Sequence, residues 1–249
     1  MKEVNEYIVK RRKRRRRKRM VIFFLILICV LVTLCLKLPY FNIKYITVEG
    51  NKIIKSDNII ENSGLTKGNN IFYLNLNKYK DNILQNPYIK DVSVKQKLPN
   101  TIDIIVKERQ SVFYINKDSN YFIIDKNGVL LEIRNNISGM NLIKLDGVNL
   151  KSNKLGNKIP CDSRRLDVIN KITSISINDS KLKITDVDMS NILNLKVYFK
   201  DMCVVIGTPD DIYNKINEAV NVISSQKLND KKGYVDVSFK GNPVYSVQQ

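Results

Sequence analysis

The stretch from Lys10 to Lys37 constrains this chain more than any other. Ten consecutive basic residues, Lys10 to Arg19, meet seventeen uncharged and mostly apolar ones, Met20 to Leu36. As a helix the apolar run measures about 25 Å, slightly short of a hydrocarbon core of about 30 Å. Arg19 and Lys37 can close that gap by snorkelling, and Leu38 adds apolar length. Residues 20–38 are therefore expected to form a single membrane-spanning helix. Lys and Arg beside a span stay on the cytoplasmic side, so the tail, residues 1–19, is expected inside and the rest of the chain outside. A cleaved signal peptide is the rival reading, and it would end in small residues of the A-x-A kind. Leu34-Cys35-Leu36-Lys37-Leu38-Pro39-Tyr40 offers no such site, so an uncleaved anchor is expected. Ten cations exceed what orientation requires. Arg11, Arg12, Arg14, Arg15, Arg16, Arg17 and Arg19 are expected to attract anionic lipid of the inner leaflet as well. No fold is expected in the tail that would present side chains to bases, so no specific nucleic acid is expected as a partner.

Beyond Lys37 lie 212 residues, enough for one large or two small domains with cores of their own. They hold thirty basic and twenty-two acidic residues, a net charge of +8, against +18 for the whole chain. Such a surface attracts anionic envelope polymers without selecting among them. The chain has no histidine and no tryptophan. Missing histidine removes the commonest general base and metal ligand, which disfavours most hydrolytic and zinc chemistry. No catalytic, cofactor or metal residue is assigned, and no small-molecule substrate is expected. Cys29 and Cys35 fall in the span; Cys161 and Cys203 lie outside it, where two unrelated thiols are expected rather than a disulfide framework.

Residues 40–110 read as a small α+β unit. Phe41 to Gly50 alternates as a strand, and a short helix follows with Ser56 or Asp57 as its N-cap and Gly64 at its end. Asn77 is expected to cap a second helix carrying Tyr79, Ile83 and Leu84, which Asn86-Pro87 stops. Two alternating runs, Ile89 to Lys97 and Thr101 to Glu108, flank Leu98-Pro99-Asn100, where proline and asparagine suit a tight turn. This order, β-α-α-β-β behind an anchor, resembles the polypeptide-transport-associated (POTRA) domain of the FtsQ/DivIB family of bacterial cell-division proteins. The likeness rests on Phe41-Asn42-Ile43-Lys44-Tyr45-Ile46-Thr47-Val48-Glu49-Gly50-Asn51, on Asn86-Pro87-Tyr88-Ile89, on Pro99-Asn100-Thr101 and on Val106-Lys107-Glu108-Arg109.

Residues 111–249 read as a β-rich domain with a mixed sheet and two helices. Val112 to Ile115 and Tyr121 to Asp125 are expected strands, and Asn127-Gly128 before Val129-Leu130-Leu131 is a strong hairpin signal. Leu142 to Leu145, Lys183 to Met189, Leu195 to Phe199 and Cys203 to Ile206 are further strands. Pro160 with Asp162 or Ser163 opens a helix bearing Leu166, Ile169, Ile172 and Thr173. Thr208 as cap, Pro209 at the first position and Asp210-Asp211 over the positive dipole end predict a second helix start, with Ile212, Ile216, Ala219, Val220 and Ile223 as its buried stripe. A phosphate loop is excluded there, since one glycine makes no cradle and the acidic pair repels an anion. Lys215 on this helix is expected to be solvated. Gly233 to Phe239 alternates as a last strand, with little chain left to cover it.

This half also looks like FtsQ/DivIB, in the F-I-I-D-K-N-G-V hairpin, the I-G-T-P-D-D-I-Y-N-K segment and the Y-V-D-V-S-F strand, so the likeness spans about residues 20–247. It implies a non-enzymatic component of the division machinery at the septum, joining FtsB/DivIC-like and FtsL-like single-pass proteins and helping regulate septal wall synthesis. It further implies that the FtsB/DivIC-like partner is met near the last strands. A free strand edge can accept a partner strand through main-chain hydrogen bonds, which makes Tyr234, Val235, Asp236, Val237, Ser238 and Phe239, with Val244 and Tyr245, the expected partner-binding residues; Phe239 stands at the family's strand-end aromatic. The alternatives are an exported, membrane-anchored wall-modifying enzyme, for which no nucleophile-and-base motif is present, and a POTRA-type polypeptide-binding chaperone, for which neither a domain repeat nor a membrane barrel is visible.

Overall fold

The computed structural model describes residues 2–150, 154–178 and 183–248, with side chains from Lys13 onward except Ser176 to Asn178. The chain divides into two compact units, residues 1–84 with 91–107, and residues 85–90 with 108–249.

The first unit begins with one uninterrupted helix, α1 (Lys2–Lys37). The basic run is thus helical and continuous with the apolar one. Lys, Arg and Leu are all good helix formers, and no Pro or Gly interrupts residues 2 to 37. The stretch from Lys13 to Lys37 is long and apolar enough to cross a membrane, and none of it is buried within the protein. A single 3₁₀ turn, Pro39–Phe41, leads from it into β1 (Tyr45–Glu49). Two helices follow, α2 (Ser56–Ser63) and α3 (Leu76–Leu84), then β2 (Ile89–Lys97) and β3 (Thr101–Glu108). The sheet order is β1-β3-β2, with β1 parallel to β3. Alternation places Ile102, Ile104 and Val106 of β3 inward, where all three are buried, with Ile59 of α2 and Ile83 of α3 also removed from solvent.

Helix starts in this unit differ from the sequence reading. Lys55, in extended conformation, precedes α2 and Ser56 is already helical, so neither Ser56 nor Asp57 is the cap. Asn75 rather than Asn77 caps α3, its side-chain oxygen accepting from the Lys78 N–H at 3.3 Å. Gly64 does end α2, at φ 75°, the left-handed conformation that glycine adopts without penalty.

The second unit is built on a nine-stranded sheet. Its strands are β4 (Ser111–Lys117), β5 (Asn120–Asp125), β6 (Leu130–Arg134), β7 (Ile143–Asp146), β8 (Asp186–Asp188), β9 (Leu195–Phe199), β10 (Met202–Gly207), β11 (Gly233–Asp236) and β12 (Val244–Val247). They lie in the order β12-β11-β10-β9-β8-β7-β4-β5-β6. Pairing is mixed: β4 with β7, β7 with β8 and β10 with β11 are parallel, the rest antiparallel. Two helices, α4 (Ser163–Asn178) and α5 (Ile212–Ser225), bury their apolar stripes in one core with Phe113, Leu145, Val187, Val197, Val204 and Val235 from successive strands. The chain is thus α+β, with an apolar N-terminal helix, a β-α-α-β-β unit and a β-rich mixed sheet carrying two helices.

Asp125, at the end of β5, holds the β5–β6 turn. Its carboxylate accepts from the backbone N–H of Asn127 and of Val129, both at 2.8 Å, and pairs with the Arg109 guanidinium at 2.9 Å. Gly128 of the same turn sits at φ 76°, where a Cβ would come within 2.9 Å of Leu166. The α4 start follows the sequence, since Asp162 accepts from the Arg165 backbone N–H at 2.9 Å. The α5 start does not. Ile212, not Pro209, is its first residue, and Asp211 before it is left-handed at φ 55° with no side-chain cap. The five expected stripe residues are all buried. Lys215 is not simply solvated: its Nζ donates to the carbonyls of Ile206 and Thr208, at 3.0 and 3.2 Å, tying α5 to the end of β10.

Candidate functional site

The expected binding strand is not the edge of the sheet. β11 ends at Asp236 and is flanked on both sides, parallel to β10 and antiparallel to β12. Val237 still donates its N–H to the Val205 carbonyl, at 3.0 Å, but Ser238 and Phe239 have left the ladder in a bend. The open edge therefore belongs to β12, and the reading of Gly233 to Phe239 as an uncovered strand is corrected. The few residues after Asn242 were enough to cover β11.

The phase of the β11–β12 ladder determines which groups that edge offers. Gln248 donates its N–H to the Lys232 carbonyl at 2.9 Å, in line with the register Gly233↔Val247 to Asp236↔Val244. Antiparallel pairs alternate between hydrogen-bonded and non-bonded. Ser246 and Val244 thus point their main-chain groups at β11, while those of Tyr245 and Val247 point outward. Gly233 is required by this pairing: a Cβ there would stand 2.2 Å from the Ser246 carbonyl oxygen.

Side chains at this end divide into two sets. Val235 and Val237 are buried in the core, at 0% and 3% exposure. Tyr234, Phe239, Val244 and Tyr245 are large, apolar and 44–51% exposed. Tyr234 shares the face turned away from the helices with Asp236, Val244 and Ser246. Tyr245 lies on the opposite face, where its hydroxyl donates to the Gln226 side-chain oxygen at 3.2 Å. Asp236 accepts from the Ser238 N–H at 2.9 Å, which fixes the bend that presents Phe239.

The two edges of the sheet are managed differently. β6 carries Glu132 and Arg134, paired at 3.4 Å, and its beginning is covered by residues 156–159 through Leu130 and the Val129–Lys158 bridge. β12, Val244-Tyr245-Ser246-Val247, carries no charge. Charges and covering segments are what keep an edge from pairing with another chain, and β12 has neither among the described residues.

Burial pushes the Cys161 thiol up to about 11, and burial raises the Cys203 thiol as well, so neither is an activated nucleophile. The two are free thiols. Tyr198, beside Cys203 on the neighbouring strand, is pushed up to about 12 by burial and by the Cys203 sulfur. Among the described residues no group of three or more Cys, Asp or Glu side chains is placed to hold a metal.

At the other end of the chain, Arg14, Arg15, Arg16, Arg17 and Arg19 are exposed along α1, and none forms an ion pair among the described residues. The side chains of Arg11 and Arg12 lie outside the described residues. A feature that the sequence reading missed is Asn70, whose amide donates to the carbonyls of Cys35 and Leu36 at 3.0 and 3.2 Å. It satisfies part of the unpaired C-terminal turn of α1 from a loop 35 residues away, and no local signal could reveal it.

Comparison with known proteins agrees with this architecture. Residues 41–109 match the family model of the FtsQ-type POTRA domain, and residues 113–238 match that of the FtsQ/DivIB cell division protein C-terminal region. The second match stops before β12. The chain is 85% identical over 249 residues to the cell division protein DivIB of Clostridium acetobutylicum, covering all of both chains. It is 43% identical over 226 residues to DivIB of Clostridium botulinum strain Hall, covering 90% of this chain and 88% of that one. It is 29% identical over 199 residues to the cell division protein FtsQ of Rickettsia bellii, covering 78% and 71%. With both models matched in order and full-length similarity to DivIB, the chain belongs to the FtsQ/DivIB family of cell division proteins.

Proposed function

We propose that this divisome component acts as a non-enzymatic connector, joining FtsB/DivIC-like and FtsL-like single-pass proteins at the septum and helping regulate septal wall synthesis. Its partner strand adds to β12. The observation that carries this reading is the uncharged open edge of Tyr245 and Val247, set beside the exposed Tyr234, Phe239 and Val244. Main-chain hydrogen bonds along the edge would supply affinity, and the exposed side chains would supply selectivity. Val235 and Val237 contribute by holding β11 in the core, Asp236 and Ser238 by setting the bend.

In this reading residues 1–19 are cytoplasmic, 20–38 span the membrane, and the domains at 40–110 and 111–249 are extracytoplasmic. The asymmetry of Lys and Arg about the apolar run supports that orientation. The exposed Arg14, Arg15, Arg16, Arg17 and Arg19, in no ion pair among the described residues, together with Arg11 and Arg12 in the same run, would hold anionic lipid at the inner leaflet. Anchoring in one bilayer raises the effective concentration of the folded units for partners anchored in the same one.

The test is co-purification of the membrane complex with Phe239→Asp and Val247→Pro variants. Phe239→Asp puts a charge at the exposed aromatic position in the bend after β11; Val247→Pro removes an outward N–H while leaving the β11–β12 bonds in place. Both should lose the FtsB/DivIC-like partner while remaining soluble and folded. Unchanged recovery with both variants would place the interface elsewhere. Protease added to intact spheroplasts should digest residues 40–249, and protection of that region would overturn the orientation.

A further inference from the structure

The end of the first unit nearest α1 carries a second exposed apolar cluster, and its position suits a different kind of partner. Pro39–Phe41 leaves α1 directly, with the rings of Tyr40 and Phe41 at 5.2 Å and those of Phe41 and Phe72 at 5.3 Å. Phe72 and Tyr73 belong to a 3₁₀ turn, Ile71–Tyr73, capped by Asn70. Asn70 uses both ends of its side-chain amide here. The nitrogen donates to Cys35 and Leu36 at the end of α1, and the oxygen accepts from the Phe72 N–H at 3.0 Å. The aromatic turn is thus fastened to the last turn of the apolar helix.

Other segments reach the same end. Ile43 exchanges main-chain bonds with the 68–69 segment, and the Asn100 carbonyl accepts from Lys44 and Tyr45, which brings the Leu98-Pro99-Asn100 turn to the start of β1. Tyr40, Tyr73 and Leu98 are 60%, 68% and 60% exposed. Lys44, Lys67 and Lys97 belong to the same segments, exposed and in no ion pair among the described residues. Large aromatic side chains mixed with lysines at the end of a span match the chemistry of a bilayer interface, where amphipathic rings sit at headgroup level and ammonium groups meet lipid phosphate.

We propose that this end of the first unit is seated in the headgroup region of the outer leaflet, with Tyr40, Phe72, Tyr73 and Leu98 as interfacial anchors and Lys44, Lys67 and Lys97 on lipid phosphates. The proposal rests on α1 being a membrane span, and it adds that the domain above the span lies on the bilayer instead of standing off it. The occupant is lipid because the cluster is hydrogen-bonded to the segment that must enter the bilayer, and because its charge complements anionic headgroups.

The absence of tryptophan in this chain makes the test direct. Single-tryptophan variants of the full chain, Tyr73→Trp, Lys107→Trp and Ile26→Trp, are reconstituted in bilayers of phosphatidylcholine and phosphatidylglycerol with brominated acyl chains. Tyr73 and Ile26 are exposed, so substitution there disturbs no core. Lys107 is exposed near the far end of β3, about 20 Å beyond Thr101 at 3.3–3.4 Å per residue. Tryptophan at 26 should be strongly quenched. Tryptophan at 73 should be shifted to the blue and quenched severalfold more than tryptophan at 107. Equal, weak quenching at 73 and 107 beside strong quenching at 26 would overturn the seating while leaving the anchor intact. Absence of quenching at 26 would overturn the anchor and the seating together.

Discussion

Asp125 is the residue whose loss should cost the second unit most for the fewest atoms removed. It is 1% exposed, and its partner Arg109 has a side chain only 19% exposed. Asp125→Ala would leave that guanidinium without its carboxylate and orphan the N–H groups of Asn127 and Val129. Breaking a buried pair by removing one partner costs about 3–5 kcal/mol, and each orphaned donor adds about 1–3 kcal/mol where water cannot reach it. These costs overlap, and some water reaches Arg109, so about 4 kcal/mol is the expected total. With a urea slope of about 2 kcal/mol/M, the unfolding midpoint should fall by about 2 M. Asp125→Asn keeps the Oδ1 acceptor for both backbone donors but puts an amide nitrogen where Oδ2 accepts from Arg109, so it loses the pair while keeping the turn bonds and should cost about half as much. The assay is urea unfolding of the detergent-solubilised chain, followed by far-ultraviolet circular dichroism. An Asp125→Ala cost below about 1 kcal/mol, or equal costs for the two variants, would refute the reasoning.

Two further perturbations follow from the same geometry. Gly233→Ala should push β12 off β11, because the new Cβ would meet the Ser246 carbonyl at 2.2 Å; the Val244 and Ser246 amides should then exchange freely and partner affinity fall by at least about tenfold, or about 1.4 kcal/mol. Retained protection at both amides would contradict the register. Asp162 is held below its ordinary value chiefly by the Arg165 backbone N–H. A depressed folded value means that its stabilisation is complete above the unfolded value and is lost as pH falls through the folded one. Asp162→Ala should therefore destabilise by about 1 kcal/mol at neutral pH, and the gap from the natural protein should close in acid below the ordinary 3.8. A gap that stays constant down to pH 2 would rule out the carboxylate as the cap.

Much of the fold is legible in the sequence where local pattern and tertiary packing agree. The stripe of α5 is an example: Ile212, Ile216, Ala219, Val220 and Ile223 recur at helical spacing because one face must meet the sheet. The start of α5 is not legible, although Thr208-Pro209-Asp210-Asp211 carries every local starting signal. Gly207 at φ 72° packs where a Cβ would be 2.8 Å from Ser238, and Lys215 reaches back to the Ile206 and Thr208 carbonyls. The chain must turn away from β10 before it can begin the helix, so tertiary contacts override the cap. The end of β11 is not legible either, for a related reason. Val235, Val237 and Phe239 alternate without a break, but the ladder to β10 ends at Val237, and nothing in the alternation marks that point. β12 is four residues long, and no sequence pattern states which strand a late segment pairs with. Asn70 against α1 is the same lesson at longer range.

The central claim is that β12 is the strand to which a partner adds, with Tyr245 and Val247 facing outward. Residue-resolved amide exchange, with and without the FtsB/DivIC-like partner, tests it most directly. In the free protein Val244 and Ser246 should be protected and Tyr245 and Val247 should exchange quickly; binding should slow Tyr245 and Val247 alone on this strand. Fast exchange at those two amides in the saturated complex would contradict the account.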